Sequence, residues 1–409
     1  MKKIIKIFIL LIIIYSVLLT AVFSIPNSYL HNNQESSYKL LNSEGMYPSL
    51  SSSDWEATRL DNFTDKLMIE KSDKKTSNFL KAAFSIDNYP RYWHGYQLLL
   101  RPLLVFVSYG TVRQLYSFMT MLLLGLNLYL LAKKKDIFIA LSFFMSFYFV
   151  RFYALSINMQ FSNVFILMLI CNIFLMTRSI KEIKNKSFLC TFFVIGSLTN
   201  FTDLLTAPLI TLGVPLVTLL YFKMKINTLD KTNLVNRFKE VISLSFSWAL
   251  GYGLTWVSKW ILASVILKEN IIMDAFDQAI FRTEGSEVYP LNRMSMFKNN
   301  VKLILNNFNI TVSLTIFIIA LIILIYNRNK LSRLLLKNSL CFLVIGVLPF
   351  IWYFVMANHS QIHYYFTYRT QIISVYAALS FFSYLISNIL LEDSGKTISR
   401  FQNNTEKDI

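Results

Sequence analysis

Ten apolar runs punctuate this chain, at about residues 4–24, 112–132, 137–155, 160–177, 187–202, 204–222, 241–266, 309–327, 338–356 and 369–390. Most approach the roughly 20 residues that an α-helix needs to cross about 30 Å of hydrocarbon. Inside lipid every backbone N–H and C=O must find its partner within the segment, so runs of this length fold as helices. Hydrophobic residues make up 55% of the sequence and charged ones only 15%, which is not the balance of a soluble chain of 409 residues. The expected fold class is all-α: a polytopic integral membrane protein of about ten transmembrane helices with outer-face juxtamembrane helices.

The formal net charge of +17 would suit a nucleic-acid partner if it were gathered in one patch, but here it is spread between the runs. Lys2, Lys3 and Lys6 open the first run, and Lys133-Lys134-Lys135 close the second. Further basic loops carry Arg178, Lys181, Lys184 and Lys186, then Lys223, Lys225, Lys231, Arg237 and Lys239, then Arg328, Lys330, Arg333 and Lys337. Cytoplasmic loops are enriched in Lys and Arg, so these loops are expected inside the plasma membrane, with both termini cytoplasmic. Membrane lipids, and no nucleic acid, are the partners this implies. The first run ends in Ala21-Val22-Phe23-Ser24, a poor processing site, and is long for a signal core, so it reads as a retained span.

This topology divides the chain. Residues 1–24 form the first span and 25–111 an extracytoplasmic loop with juxtamembrane helices. Residues 112–266 form a helix bundle, 267–308 a second outer loop, 309–390 the last membrane helices and 391–409 a cytoplasmic tail. Residues 94–108 are apolar but rise only about 22 Å as a helix, too little to cross, and are expected to lie in the outer interface, interrupted at Arg101-Pro102 and ended by Tyr109-Gly110. Were they to cross, the triple lysine at 133–135 would fall outside.

Most acidic residues, and all four histidines, His31, His94, His359 and His363, fall on the outer side. Asp61 and Asp65 are four apart, on one face if the segment is helical, and Thr64 or Asn62 can cap a helix there whose Phe63, Leu67 and Met68 would rest on the membrane surface. A carboxylate at a partly desolvated surface can act as a general base toward a hydroxyl; a solvated charge or helix cap is the plainer reading of each acid. The outer cations are Arg91, Arg101, Arg151, Lys259, Arg282 and Arg369. Guanidinium and ammonium groups bind phosphate oxygens through charge-assisted bonds, whereas snorkelling would account for Lys259 among its Trp neighbours. Two polar-aromatic stretches, Tyr89-Pro90-Arg91-Tyr92-Trp93-His94-Gly95-Tyr96-Gln97 and His363-Tyr364-Tyr365-Phe366-Thr367-Tyr368-Arg369, have the composition of two walls of one cavity. Cys171, Cys190 and Cys341 all lie in apolar runs and no metal-ligand spacing is evident, so no resident cofactor is expected, with a divalent metal left open.

This layout resembles the GT-C superfamily of polytopic glycosyltransferases, which includes protein O-mannosyltransferases and lipid A aminoarabinose transferases. The resemblance rests on one span followed by an outer acidic loop, then Trp93-His94-Gly95-Tyr96, a short helix, Arg113 and a span ending in basic residues. Thr199-Asn200 with Pro208 and Pro215, and the 363–369 segment, are similar to later family segments. Adjacent acidic residues common in the family's first loop are missing here; Asp54-Trp55-Glu56 and Asp61 to Asp65 stand nearest. The resemblance implies an inverting transfer of a sugar from a polyprenyl-phosphate donor to an extracytoplasmic acceptor in a bacterial cell envelope. It implies Asp65, then Asp61, as catalytic base, with Arg91, His94, Arg101, Arg151, Lys259, His363 and Arg369 as lipid-phosphate or substrate-binding residues. A polysaccharide repeat-unit polymerase or a lipid or sugar flippase are the rival functions; span centres nearly empty of acids argue against an ion-coupled transporter.

Overall fold

The computed structural model describes residues 2–133, 136–179, 182, 187–226 and 234–392. Lys134, Lys135, Lys181, Lys184, Lys186, Lys231 and the tail beyond residue 392 lie outside the described residues. The described residues form helices and two isolated bridges, Ser49 with Arg59 and Gly285 with Pro290, and no strand.

Among the described residues seven helices are long and apolar enough to cross a membrane: Lys2–Phe23, Tyr109–Lys133, Met159–Met176, Leu234–Leu267, Asn309–Tyr326, Arg333–Val355 and Tyr364–Leu390. The other three apolar runs make shorter helices. Ile137–Phe149 has 13 residues because the backbone turns left-handed at Arg151, where φ is 54°. Leu189–Thr202 has 14 and stops at Asp203, whose extended backbone leaves the helix. Ile210–Ile226 has 17 and starts only after Pro208, which cannot serve as a helix-interior donor.

Ile210–Ile226 runs through the centre of the bundle, with Ile210 to Phe222 buried without interruption. Around it, Leu189–Thr202 and Leu234–Leu267 approach backbone to backbone. A Cβ at Gly196 would lie 2.0 Å from the Trp248 carbonyl oxygen, and one at Gly251 would lie 2.0 Å from that of Phe193. Apolar side chains gain little by leaving lipid for protein, so close packing of small residues and interhelical hydrogen bonds hold such helices together. Asn172 donates to the Asn127 side-chain oxygen at 2.8 Å, and Asn127 donates to the Leu169 carbonyl at 3.2 Å. Asp136 accepts from Tyr221 at 2.5 Å and from Ser387 at 2.9 Å and lies 3.4 Å from Lys225. By contrast Lys2–Phe23 and Asn309–Tyr326 are only 11% buried over their most apolar windows and present Ile9, Ile13, Leu314, Ile318 and Ile322 outward. Those faces match a hydrocarbon surround.

Residues 25–106 pack over one end of this bundle, where helices Tyr109–Lys133, Met159–Met176 and Tyr364–Leu390 begin and Lys2–Phe23, Leu189–Thr202 and Leu234–Leu267 finish. The helix Gln97–Phe106 continues through Arg101 and Pro102 instead of breaking there. It stops at Val107, and Tyr109 and Gly110 open the next helix rather than ending this one. Ten residues, with Leu99 and Phe106 strongly exposed and Leu100 and Leu104 buried, make an amphipathic element lying against the bundle. The first-loop helix runs Asn62–Glu70 and is capped by Asp61, not by Thr64 or Asn62. Its Phe63 is half exposed but Met68 is buried, so the two do not share an outward face.

Candidate functional site

Asp61 precedes its helix in non-helical backbone, and its Oδ1 accepts the Thr64 N–H at 2.9 Å, satisfying an amide the helix cannot pair internally. Its other oxygen, Oδ2, accepts the Tyr365 hydroxyl at 2.9 Å, so one carboxylate ties the first outer loop to the segment opening the last membrane helix. Burial raises the Asp61 carboxyl above the usual aspartate range despite these bonds and the nearby Arg59 charge. Asp65, one turn on, is fully buried; its Oδ2 accepts from the Tyr109 hydroxyl and the Met159 N–H at 3.2 Å, and its Oδ1 accepts the Gln160 N–H at 3.0 Å. Desolvation pushes it up to about 7, with Asp61 adding in the same direction. The two acids remain electrostatic neighbours, although Asp61 is the cap rather than a helical residue. Beside them Arg113 grips Glu44 at 2.7 and 2.8 Å and donates to Asn62 at 2.5 Å.

The cations singled out from the sequence are mostly engaged by the protein itself. Arg91 forms a fork on Asp274 at 2.6 and 2.8 Å, while its carbonyl accepts from Trp256 and Trp260. Arg101 donates to the Val22 and Ile25 carbonyls and to Asn27 at 3.1, 2.5 and 3.0 Å, pinning the interfacial helix to the end of the first span. Arg151 donates to Asp54 at 2.7 Å and to the Phe149 carbonyl at 2.5 Å. Lys259 does not snorkel outward. It is fully buried, donates to the Phe84 carbonyl at 3.1 Å and lies over the Phe84 ring at 4.4 Å and the Trp93 ring at 5.5 Å. Arg369 donates to the Ala57 and Tyr365 carbonyls and rests on the Phe161 ring. His94, at φ 55°, donates from Nε2 to the Tyr89 carbonyl at 2.9 Å, leaving Nδ1 to accept from Tyr96. Burial drives its pKa down to about 3, so it is a neutral hinge of the Tyr89–Gln97 turn.

The two polar-aromatic stretches hydrogen-bond to different parts of the chain. Residues 89–97 meet the Leu234–Leu267 and Ile271–Glu284 helices through Trp256, Trp260 and Asp274. Residues 363–369 meet residues 54–61 instead: Tyr364 donates to Glu56 at 2.6 Å, Tyr365 to Asp61, and Tyr368 to the Ala57 carbonyl at 2.8 Å. Arg282 bridges the groups. It donates to His359 Nδ1 at 2.7 Å, His359 in turn donates Nε2–H to the Leu205 carbonyl at 2.9 Å, and the Arg282 charge reaches Tyr92. His363 packs against His359 with centroids 4.8 Å apart and makes no side-chain hydrogen bond among the described residues.

Arg59 was not among the sequence candidates. Its guanidinium lies over the Tyr47 ring at 4.1 Å and the Tyr365 ring at 4.2 Å, and no carboxylate among the described residues pairs with it. The sequence signal was its place two residues before Asp61, in a loop flanked by Tyr47 and Trp55. Asp203 is also fully enclosed, accepting the Thr206 N–H at 3.0 Å, with burial pushing it up to about 7. Among the described residues, no group of three or more His, Cys, Asp or Glu is placed to hold a metal ion. Compared with known protein families, with curated proteins and with solved structures, the chain matches none.

Proposed function

We propose that this chain is a membrane glycosyltransferase that moves a sugar from a polyprenyl-phosphate donor to an acceptor on the outer face of the plasma membrane. The observation that carries this reading is the junction of Asp61 with Tyr365, which sets a desolvated carboxyl group of the first loop against the aromatic mouth of the last membrane helix. In the proposed reaction the acceptor oxygen attacks the anomeric carbon, its proton passes to a carboxylate, and the polyprenyl phosphate leaves with the bonding electron pair. Asp61 is the better base of the two acids, because one tyrosyl hydroxyl alone covers Oδ2 and Arg59 beside it is half-buried. Asp65, with both oxygens committed to Tyr109 and two backbone amides, serves to position the loop. Ten crossings, inward termini and an outer location for residues 25–106 belong to this proposal. The three shorter apolar helices would complete the crossings with non-helical ends buried in protein, which lipid tolerates.

Asp61→Asn and Asp65→Asn, made separately, test the assignment. Asp61→Asn keeps the cap geometry and is expected to abolish transfer from a lipid-linked sugar donor, so that the donor accumulates. Asp65→Asn is expected to retain measurable transfer. Full donor turnover by Asp61→Asn in protein that stays folded in the membrane sinks the proposal.

A further inference from the structure

We infer that Arg59 and Arg282, flanking His363, form a binding site for a phosphate or diphosphate group. Each guanidinium has a buried Nε without a hydrogen-bond partner, and neither is paired with a carboxylate among the described residues. This sets them apart from Arg91, Arg113 and Arg151, whose carboxylate partners are in place. A continuous row of contacts joins the two. Arg59 lies 4.2 Å over Tyr365, the Tyr365 and His363 rings are 6.3 Å apart, His363 and His359 are 4.8 Å apart, and Arg282 donates to His359 at 2.7 Å. Burial above all, and after it the Arg282 and Arg59 charges, hold the His363 imidazole neutral, with its pKa down to about 3. Arg59 has the Asp61 carboxyl as an electrostatic neighbour, but the buried Nε of each guanidinium has no hydrogen-bond acceptor, and a buried donor left unpaired is costly unless an acceptor answers it.

A phosphate suits these donors chemically. Guanidinium forks bind phosphate oxygens in pairs, and three or four oxygens can be shared between two arginines and the His363 ring. An arriving dianion would also favour the protonated imidazole, turning His363 into a third donor. The inference rests on the glycosyltransferase reading only in naming a lipid as the carrier of that phosphate; the anion site itself does not depend on catalysis.

The test is binding of farnesyl phosphate and of inorganic phosphate to the full-length protein in detergent micelles, by calorimetric titration. Saturable binding is expected, weakened about tenfold or more in Arg59→Gln and in Arg282→Gln, as for loss of a charge-assisted bond. Arg59→Lys should recover part of the loss. Preference for farnesyl phosphate identifies a lipid carrier, and equal binding of both probes identifies a free phosphate. If a Gln variant loses its monodisperse elution, imidazole resonances of wild-type protein decide instead, with the His363→Gln spectrum as assignment. A His363 signal that moves on phosphate addition supports the site, and one that does not move overturns it. Unchanged affinity in both folded Gln variants also overturns it. Phosphate binding without sugar transfer would leave the site standing and remove the catalytic reading.

Discussion

At Asp65 one carboxylate oxygen meets the Tyr109 hydroxyl and the Met159 amide, and the other meets the Gln160 amide, with no contact to solvent. A carboxyl raised to about 7 from an ordinary 3.8 binds its proton more tightly in the folded chain than in the unfolded one. Stability from this group is therefore greatest below about pH 4, falls between about pH 4 and 7, and is level above. His94 works in the opposite sense: its folded value near 3 lies below the ordinary 6.5, so stability is lost as pH falls from about 6.5 toward 3. The two slopes overlap in wild type, and only a difference between variants separates them. Thermal melts of wild type and Asp65→Asn, taken from pH 4 to pH 8 in one detergent, should show wild type losing ground to the variant as pH rises to about 7. Parallel curves across that range would mean that the Asp65 carboxyl titrates normally. Asp61→Ala, which removes the cap, should cost about 1 kcal/mol of stability, whereas Asp61→Asn should cost less, because asparagine also caps. That contrast keeps the catalytic test of Asp61 apart from its structural duty.

The strongest packing requirement among the elements falls on the pair Leu189–Thr202 and Leu234–Leu267. Their crossing depends on Gly196 and Gly251, each of which would drive a Cβ into the partner's carbonyl oxygen. Gly196→Val and Gly251→Leu must push the helices apart, lose the Ser197 to Thr255 hydroxyl contact at 2.7 Å and loosen Trp93, whose Nε1 donates to the Thr255 carbonyl at 2.7 Å. Both variants should fail to yield monodisperse protein. Gly253→Ala, where a Cβ meets nothing within 4 Å, should behave as wild type, and equal damage from all three would show that glycine content rather than this crossing matters. These glycines carried no mark in the sequence, where Gly196, Gly251 and Gly253 sit in similar apolar surroundings. Periodicity gives a helix its buried face but does not say which neighbour comes closest. The Arg101-Pro102 step misled for a related reason: Pro102, in the interior of a ten-residue helix, removes one donor, and the burial of Leu100, Arg101 and Leu104 holds the helix through it.

At the scale of the molecule, hydrophobicity made the all-helical membrane class legible, because apolar length is written directly in composition. The positions of Asp61, His363 and Arg369 on one polar end could likewise be read from the order of the runs. The pairing of that end could not. Arg91 and Asp274 are separated by 183 residues, Asp61 and Tyr365 by 304, and nothing local states which distant partner neutralises a charge. The proposed orientation is open to direct test through single cysteines. Ser53 lies exposed in the first polar loop, and Asn329 lies exposed in the basic turn between the Asn309–Tyr326 and Arg333–Val355 helices. The native Cys171 and Cys341 are buried and Cys190 is half-buried, so the wild-type chain supplies the background. A membrane-impermeant maleimide added to intact cells should label Ser53→Cys strongly and Asn329→Cys only after permeabilisation. If the pattern is reversed, the basic loops face outward, and the Asp61 site must draw its donor and acceptor from the cytoplasm. If both label in intact cells, an odd number of crossings between them is excluded. Ser53 and Asn329 would then share a face, and at least one of the short helices, Ile137–Phe149, Leu189–Thr202 or Ile210–Ile226, would have to be re-entrant rather than spanning.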